Sequence, residues 1–399
     1  MPRLFRVSTL RGLWHGLRTE GPRSLLRLAR NELAEPRLAL TRKIRGAATA
    51  VGDRFRRVTT ASEAWSDDCL QLVWDLSVAP VSYDLVAALA AAEIERRKRG
   101  LGGLVVIVVP GPHHGVKRET PAHEMAEDPE ARLHRLHQEL LPLLALMPSV
   151  RGHAVCADRQ QAWSLIAGDD RRVYPDGYRI FLPLRPDPGA ARDEARRAGT
   201  VWPLLSATGP ARRAAEEYLT RVAGGRRAVV ITLRASALSP RRNSRVDDWV
   251  AFADGLDPER YAPIFVHDAP PGAPLPDALA GREVCVAASL DVAFRLGLYE
   301  RAWLTMGVLS EPLMLAWYDE RVRYQVFVPI DEADDVTARA LEDQGHRIGG
   351  DIEFARPWQQ LVWKTDTLMA IRLAFSVMEA RLTAIEAVER TAPAAAVQD

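Results

Sequence analysis

Cysteine is scarce in this chain. Cys69, Cys156 and Cys285 are the only three in 399 residues, far apart and without a Cys-x-x-Cys pair. That argues against a disulfide framework and a thiolate zinc site, and for a reducing compartment. Long apolar runs are missing as well: no stretch of about eighteen apolar residues occurs, so no membrane span is expected. The first residues carry arginine throughout and offer no clean apolar core, which speaks against a secretory signal. A cytoplasmic protein is the expectation. Gly-x-Gly-x-x-Gly and Gly-x-x-x-x-Gly-Lys-Ser/Thr are both absent, which removes the dinucleotide fingerprint and the Walker loop. Gly-x-Ser-x-Gly is absent too, and with it the nucleophile elbow. His134 and His137 form His-x-x-His without an apparent third ligand, so they read as surface residues and no metal site is expected.

What is present is a globular composition, 47% hydrophobic and 26% charged, in a length that suits two ordinary domains. The net charge of +1 conceals an asymmetry. Residues 1–57 hold fourteen Arg or Lys against Glu20, Glu32, Glu35 and Asp53, a net of +10, which leaves −9 for the remainder. Leu10, Leu13, Trp14 and Leu17 stand at helical spacing beside Arg11 and Arg18. Such a basic amphipathic helix suits an anionic membrane surface, which would make the protein peripheral on the inner face. The blander reading is a surface helix or a solvated tail. No nucleic-acid motif accompanies the basic residues, so no nucleic-acid partner is expected.

From Leu70 onward strand and helix patterns alternate, which predicts parallel sheets covered on both faces. Leu70–Leu76, Leu104–Val109 and Val150–Ala157 read as strands. Tyr83–Arg99, Pro129–Met147 and Gln160–Ala167 read as helices. After a helix at Ala211–Val222, closed by Gly224-Gly225, come strands at Val229–Leu233, Pro263–Val266, Glu283–Ala287, Arg301–Thr305 and Tyr324–Val328. A long helical pattern runs from about Trp358 to Val388. The organisation expected is a basic segment over 1–60, a first Rossmann-like domain over 61–205 and a linker helix over 206–225. A second Rossmann-like domain follows over 226–375, then a helix end and tail over 376–399.

Three loops carry chemistry. Arg234 ends the Val229–Leu233 run and is followed by Arg241-Arg242-Asn243-Ser244. In an open α/β sheet, ligands bind beyond the carboxyl ends of the strands, and guanidinium groups match phosphate. The alternative is that Arg234 pairs with Asp268 or Asp291. In Thr305-Met306-Gly307-Val308-Leu309-Ser310-Glu311-Pro312, Gly307 permits close backbone approach and Ser310 suits a helix N-cap. Thr305 and Ser310 then join a phosphate cradle, with Glu311 on ribose or sugar hydroxyls. The third loop, Pro110–Arg118, holds His113 and His114 as candidate general bases and Lys117 and Arg118 for an anionic acceptor. Asp75 and Asp84 are rival bases.

The stretches ITLRAS…PRRNSRVDDWVAFADGLD…YAPIFVHD, LYERAWLTMGVLSEPLMLAWY and LVWKTDTLMAIRLAF resemble the donor half of GT-B glycosyltransferases. They look most like bacterial fucosyltransferase-like proteins of surface-polysaccharide synthesis. DLSVAPVSYDLVAALAAAEIERRKRG…VVIVVPGP resembles the acceptor half of the same group. Where that group carries His-x-Arg-Arg, this chain has Thr232-Leu233-Arg234-Ala235. The resemblance implies two Rossmann-like doubly wound domains facing across a cleft. It implies a nucleotide-sugar donor, a GDP-sugar among the candidates, and a polysaccharide or lipopolysaccharide-type acceptor. Arg234 would take the donor β-phosphate, with Arg242, Asn243 and Ser244 beside it and His113 or Asp84 as base. No cofactor is implied, because the nucleotide sugar is a substrate. Asp-x-Asp, the metal-holding pattern of the metal-dependent enzymes, occurs nowhere, so metal independence is expected. The alternative is a catalytically inactive GT-B-like binding or scaffold protein docked to a membrane or a partner.

Overall fold

The computed structural model describes residues 29–56 (30 and 37 apart), 68–166, 169–199, 205–237, 239–269, 272–329 and 347–391. The helix expected around Leu10–Leu17 lies outside these residues. Two compact units emerge, and they interleave along the chain. The first takes the described residues up to Val81 with Ala91–Glu119 and Ser149–Ala191; the second takes Ser82–Ala90, Thr120–Pro148 and the described residues from Arg192 onward.

The first unit is built on strands β1 (Cys69–Asp75), β2 (Gly103–Val109), β3 (Val150–Val155) and β4 (Val173–Tyr174), in the order β3-β2-β1-β4 and all parallel. Every residue of β1 and β2 is buried, which is why β2 reads as an unbroken apolar run and why the polar Gln71 and Asp75 of β1 need internal hydrogen-bond partners. Helix α1 (Ala39–Arg56) belongs to this unit. Helix α2 (Asp84–Arg99) follows β1 and ends in Arg96-Arg97-Lys98-Arg99, where cations complement the helix dipole. The two-residue strand β4 had no counterpart in the expected pattern, since so short a run carries no periodicity.

The second unit holds β5 (Arg227–Arg234), β6 (Tyr261–Asp268), β7 (Leu304–Val308), β8 (Tyr324–Phe327) and β9 (Gln359–Val362), again all parallel, in the order β6-β5-β7-β8-β9. Counted within the unit this is 2-1-3-4-5, a doubly wound order whose switch point lies between β5 and β7. Val229, Ile231 and Leu233 share one core with Trp249, Phe252, Phe327 and Phe375. The rings meet edge to face, Trp249 on Phe327 at 5.5 Å and 89°. Preceding β5, helix α3 (Gly209–Ala223) is capped by the Thr208 hydroxyl and stopped by Gly224 at φ 57°. It lies against the helix Val292–Arg301 so closely that a Cβ on Gly297 would come within 2.8 Å of the Ala211 carbonyl.

Several expected elements differ. Where a strand was expected at Arg301–Thr305, Arg301 ends the helix Val292–Arg301 and β7 runs over Leu304–Val308. The helix expected over Pro129–Met147 passes through π and 3₁₀ turns after Arg135. Glu283–Ala287 makes only a single parallel bridge, Phe265 to Val284, and the chain then turns into the helix Val286–Leu290. The Ala287-Ala288 pair favours helix, and only one ladder step competes with it. The long helix does not begin at Trp358. Residues 359–362 pair with β8 as an edge strand with alternating burial, and the helix runs over Leu368–Thr391 behind a Thr367 hydroxyl cap. A free sheet edge offered those backbone groups partners that no local pattern announces.

A carboxyl pair is buried in the second unit. Glu300 accepts from the Arg212 guanidinium and from the Ala207 N–H at 2.7 Å, and Asp319 holds Arg321 at 3.0 Å. Burial, together with the hydrogen bond to Glu300, pushes Asp319 up to about 7. A carboxyl raised in the folded state stabilises it while protonated, and that contribution fades as pH climbs from the ordinary aspartate range to about 7. The thermal midpoint should therefore fall between pH 5 and 7.5. Asp319→Asn should flatten the decline, and an unchanged slope in that variant would exclude the pair as its source.

Candidate functional site

Strands β5, β6 and β7 of the second unit end together at the switch point, and a cavity of about 560 Å³ opens beyond them. The strand ends contribute Arg234, Ala235, Ser236, Asp268, Ser310 and Glu311 to its wall. Arg234 and Asp268 are register partners, the last residues of β5 and β6. They do not pair with each other. Asp268 bonds instead to Arg295 at 2.6 Å, and that arginine is 3% exposed. The pair is extended by the Ser310 hydroxyl, which donates to Asp268 at 2.8 Å, and by the Arg295 Nε, which donates to the Ala288 carbonyl at 2.6 Å. Asp291, the other acid considered for Arg234, caps the helix Val292–Arg301 through the N–H groups of Ala293 and Phe294.

Arg234 is thereby left without a carboxylate: among the described residues it makes no ion pair. Its guanidinium donates to the Asn243 Oδ1 at 2.9 Å and to the Ser239 carbonyl at 3.4 Å. The Ser244 hydroxyl accepts from the Arg234 N–H at 2.8 Å, and the Ser244 N–H returns a bond to the Arg234 carbonyl. Asn243 also accepts from the Ser236 N–H at 2.7 Å. Asn243 and Ser244 thus spend their polar atoms on folding the loop and aiming Arg234. Burial lowers Arg234 to about 10, the Arg242 charge adding to the effect and Glu311 and Asp268 opposing it. Arg242 does not line the cavity but lies within electrostatic reach of Arg234.

The β7 motif divides. The Ser310 hydroxyl accepts from the Leu313 N–H at 3.3 Å, but the N-cap position of the 3₁₀ helix Pro312–Tyr318 falls one residue later than expected, on Glu311. Glu311 faces the cavity with its side chain 48% exposed. Thr305 is buried within β7 and does not line the cavity, and Gly307 makes its close approach to β5 rather than to a ligand. A Cβ at Gly307 would meet the Thr232 carbonyl at 2.4 Å.

The rest of the wall comes from residues 83 and 126–139, which the sequence reading did not assign to any site: Tyr83, Glu127, Glu130, His134, Arg135 and Glu139. His134, expected on the surface, is one of them. Glu130 and His134 stand four apart on the helix Pro129–Arg135, with Arg135 beside them, a charged face that the sequence does display, whereas Glu127 sits in the extended turn before that helix, which no periodicity announces. Glu139 sits on a π turn, Leu136–Leu140. Enclosure by the cavity walls raises the carboxyls of Glu139 and Glu311 above the usual range, for Glu311 less than for a truly buried acid because its side chain is half open to the cavity, and Arg135, 3.9 Å from Glu311, opposes it. The Tyr83 N–H donates to Glu311 at 3.4 Å.

Of the proposed bases, Asp84 opens α2 and its charge is felt by Glu311, but it is not part of the wall. His113 lies in the first unit, in a small hairpin where it bridges Val116 and meets the His114 ring edge to face at 4.9 Å. Asp75 is buried and fully engaged by Arg159 at 2.9 and 3.0 Å, the Tyr178 hydroxyl at 2.7 Å and the Ser77 N–H. Such a carboxylate has no lone pair to spare for a substrate proton. Among the described residues no group of three or more His, Cys, Asp or Glu converges as a metal site would, and no helix is long and apolar enough to cross a membrane.

Cutting the Asp268–Arg295 pair on one side leaves a buried charge uncompensated. Arg295→Met should lower the unfolding free energy by about 3–5 kcal/mol in urea titration, and adding Asp268→Asn should restore part of it. Equal stability of the single and double variants would mean that the pair is not coupled.

No family model matches the sequence, and no curated protein matches it. Among solved structures the chain is similar to the glycosyl transferase family 9 protein from Veillonella parvula DSM 2008, with 10% identity over 67% of this chain and 83% of that one and a TM-score of 0.43. A likeness of that size assigns neither activity nor substrate, and none of these comparisons carries the fucosyltransferase-like resemblance further.

Proposed function

We propose that the protein is a metal-independent glycosyltransferase of the GT-B kind. The second unit would bind the diphosphate of a nucleotide sugar, with a GDP-sugar among the candidates, and a glycan of polysaccharide or lipopolysaccharide type would accept the sugar. The observation that carries this reading is Arg234: a guanidinium at a strand end, beside the switch point, held by neutral partners and facing a cavity of nucleotide-sugar size. Arg295 stands in the same wall with the Ser310 hydroxyl next to it.

In the reaction, the acceptor hydroxyl oxygen bonds to the anomeric carbon while the bond from that carbon to the diphosphate breaks. The electron pair leaves with the diphosphate, where guanidinium charge offsets it. The acceptor proton goes to a carboxylate of the cavity wall. Glu311 and Glu139 suit that role better than His113 or Asp84, because both line the cavity and both carboxyls are raised above the ordinary range.

Calorimetry with GDP and UDP tests the phosphate site. Arg234→Ala should weaken the bound nucleotide by about 1.5–3 kcal/mol, the usual worth of a charged hydrogen bond; equal affinity would sink the assignment. A panel of nucleotide sugars watched for slow hydrolysis separates the enzyme from an inactive binding protein that merely keeps the fold. If Glu311 is the base, the hydrolysis rate should rise with pH as its raised carboxyl ionises, and Glu311→Gln should abolish that limb.

A further inference from the structure

The first half of helix α1, Leu40–Thr49, is inside out. Among its described side chains Thr41 and Arg45, four residues apart, are the buried ones. Leu40 and Ile44, also four apart, are 68% and 54% exposed. A surface helix of a globular protein normally turns its apolar stripe inward. Here the polar face is the one that docks. The Arg45 guanidinium donates to the Leu182 carbonyl at 2.8 Å, the Pro183 carbonyl at 3.4 Å and the Leu33 carbonyl. The Arg185 N–H donates to the Ala34 carbonyl at 3.0 Å. All of these residues belong to the first unit, so the helix is fixed to its own body through hydrogen bonds to backbone. The stripe of Leu40, Ile44, Ala47 and Ala48 faces outward, with exposed Leu33 and Leu38 just before it and exposed Arg42 and Lys43 on its flank.

We infer that this face of α1 is a docking surface for an anionic lipid bilayer. Leu and Ile at the turn spacing of a helix, bordered by cations, match the acyl–headgroup boundary, where apolar burial and charge attraction act together. Charge decides between the possible occupants. The stripe lies within residues 1–57, which carry a net charge of +10. A second copy of the chain seated on the same stripe would bring two such segments together and be repelled, whereas a bilayer rich in acidic headgroups attracts both the flank and the segment. The body-side hydrogen bonds hold the stripe in a fixed direction before any contact, so little ordering is required on binding. This inference does not rest on the proposed transfer activity.

The test is sedimentation of the full chain with vesicles of phosphatidylcholine, with and without phosphatidylglycerol. Binding should require the acidic lipid and weaken as salt is raised. Leu40→Ser with Ile44→Ser should cut the partition by at least about tenfold while the thermal midpoint stays unchanged, since exposed side chains support little of the core. Arg42→Gln with Lys43→Gln should weaken binding and reduce its salt dependence. An unaltered partition in the Leu40/Ile44 variant overturns the proposal. So does a midpoint lowered by several degrees, which would show those side chains to be packed against protein. A dimer in light scattering that this variant disperses would assign the stripe to a second copy instead.

Discussion

The buried pair of Asp268 and Arg295 governs the chemistry of the second unit. Asp268 stands in register with Arg234, one strand away, and a carboxylate there would ordinarily take the nearest guanidinium. Arg295 reaches it first, from the helix that precedes β7, and Ser310 occupies a second lone pair. The acid at the strand end is thereby neutralised inside the protein, and Arg234 keeps its charge for the cavity. Desolvation makes such a pair costly to form and costlier to break, so it fixes the relative placement of β6, that helix and the turn after β7 more firmly than packing alone.

Around this pair the site is divided between charges that are spent and charges that are kept. Asn243 and Ser244 are spent on the loop; they hold Arg234 from neutral atoms and so leave its charge intact. Asp75 in the first unit is spent on Arg159 and Tyr178. Glu311 and Glu139 line the cavity wall, where enclosure raises both carboxyls and the charges of Arg135 and, for Glu139, Arg295 restrain them. A wall of this kind sets a strand-end guanidinium beside raised carboxyls within one unit of the molecule.

Much of the fold was legible in the residues. The apolar runs of β1, β2 and β5 lie close to where they were expected, because strands buried on both faces are predominantly apolar. The helix before β5 stops where Gly224 was expected to close it. Where the reading departed from the structure, a local preference met a nonlocal partner. Residues 359–362 looked helical and became an edge strand, while 283–287 looked extended and gained only one ladder step. The site was half legible: Arg234, Ser310 and Glu311 were named from their strand-end positions, whereas Glu139, Arg135 and Arg295 were not.

That division has a physical basis. Period, cap chemistry and apolar run length are interactions among neighbours in sequence, so the local order of residues alone determined that this chain forms two parallel α/β sheets with cations at the carboxyl end of β5. Which guanidinium meets Asp268, which segment walls the cavity and which side of α1 is buried are choices between partners far apart in the chain. Their energies depend on distance and desolvation in three dimensions, and those quantities came into being only when the tertiary structure was assembled.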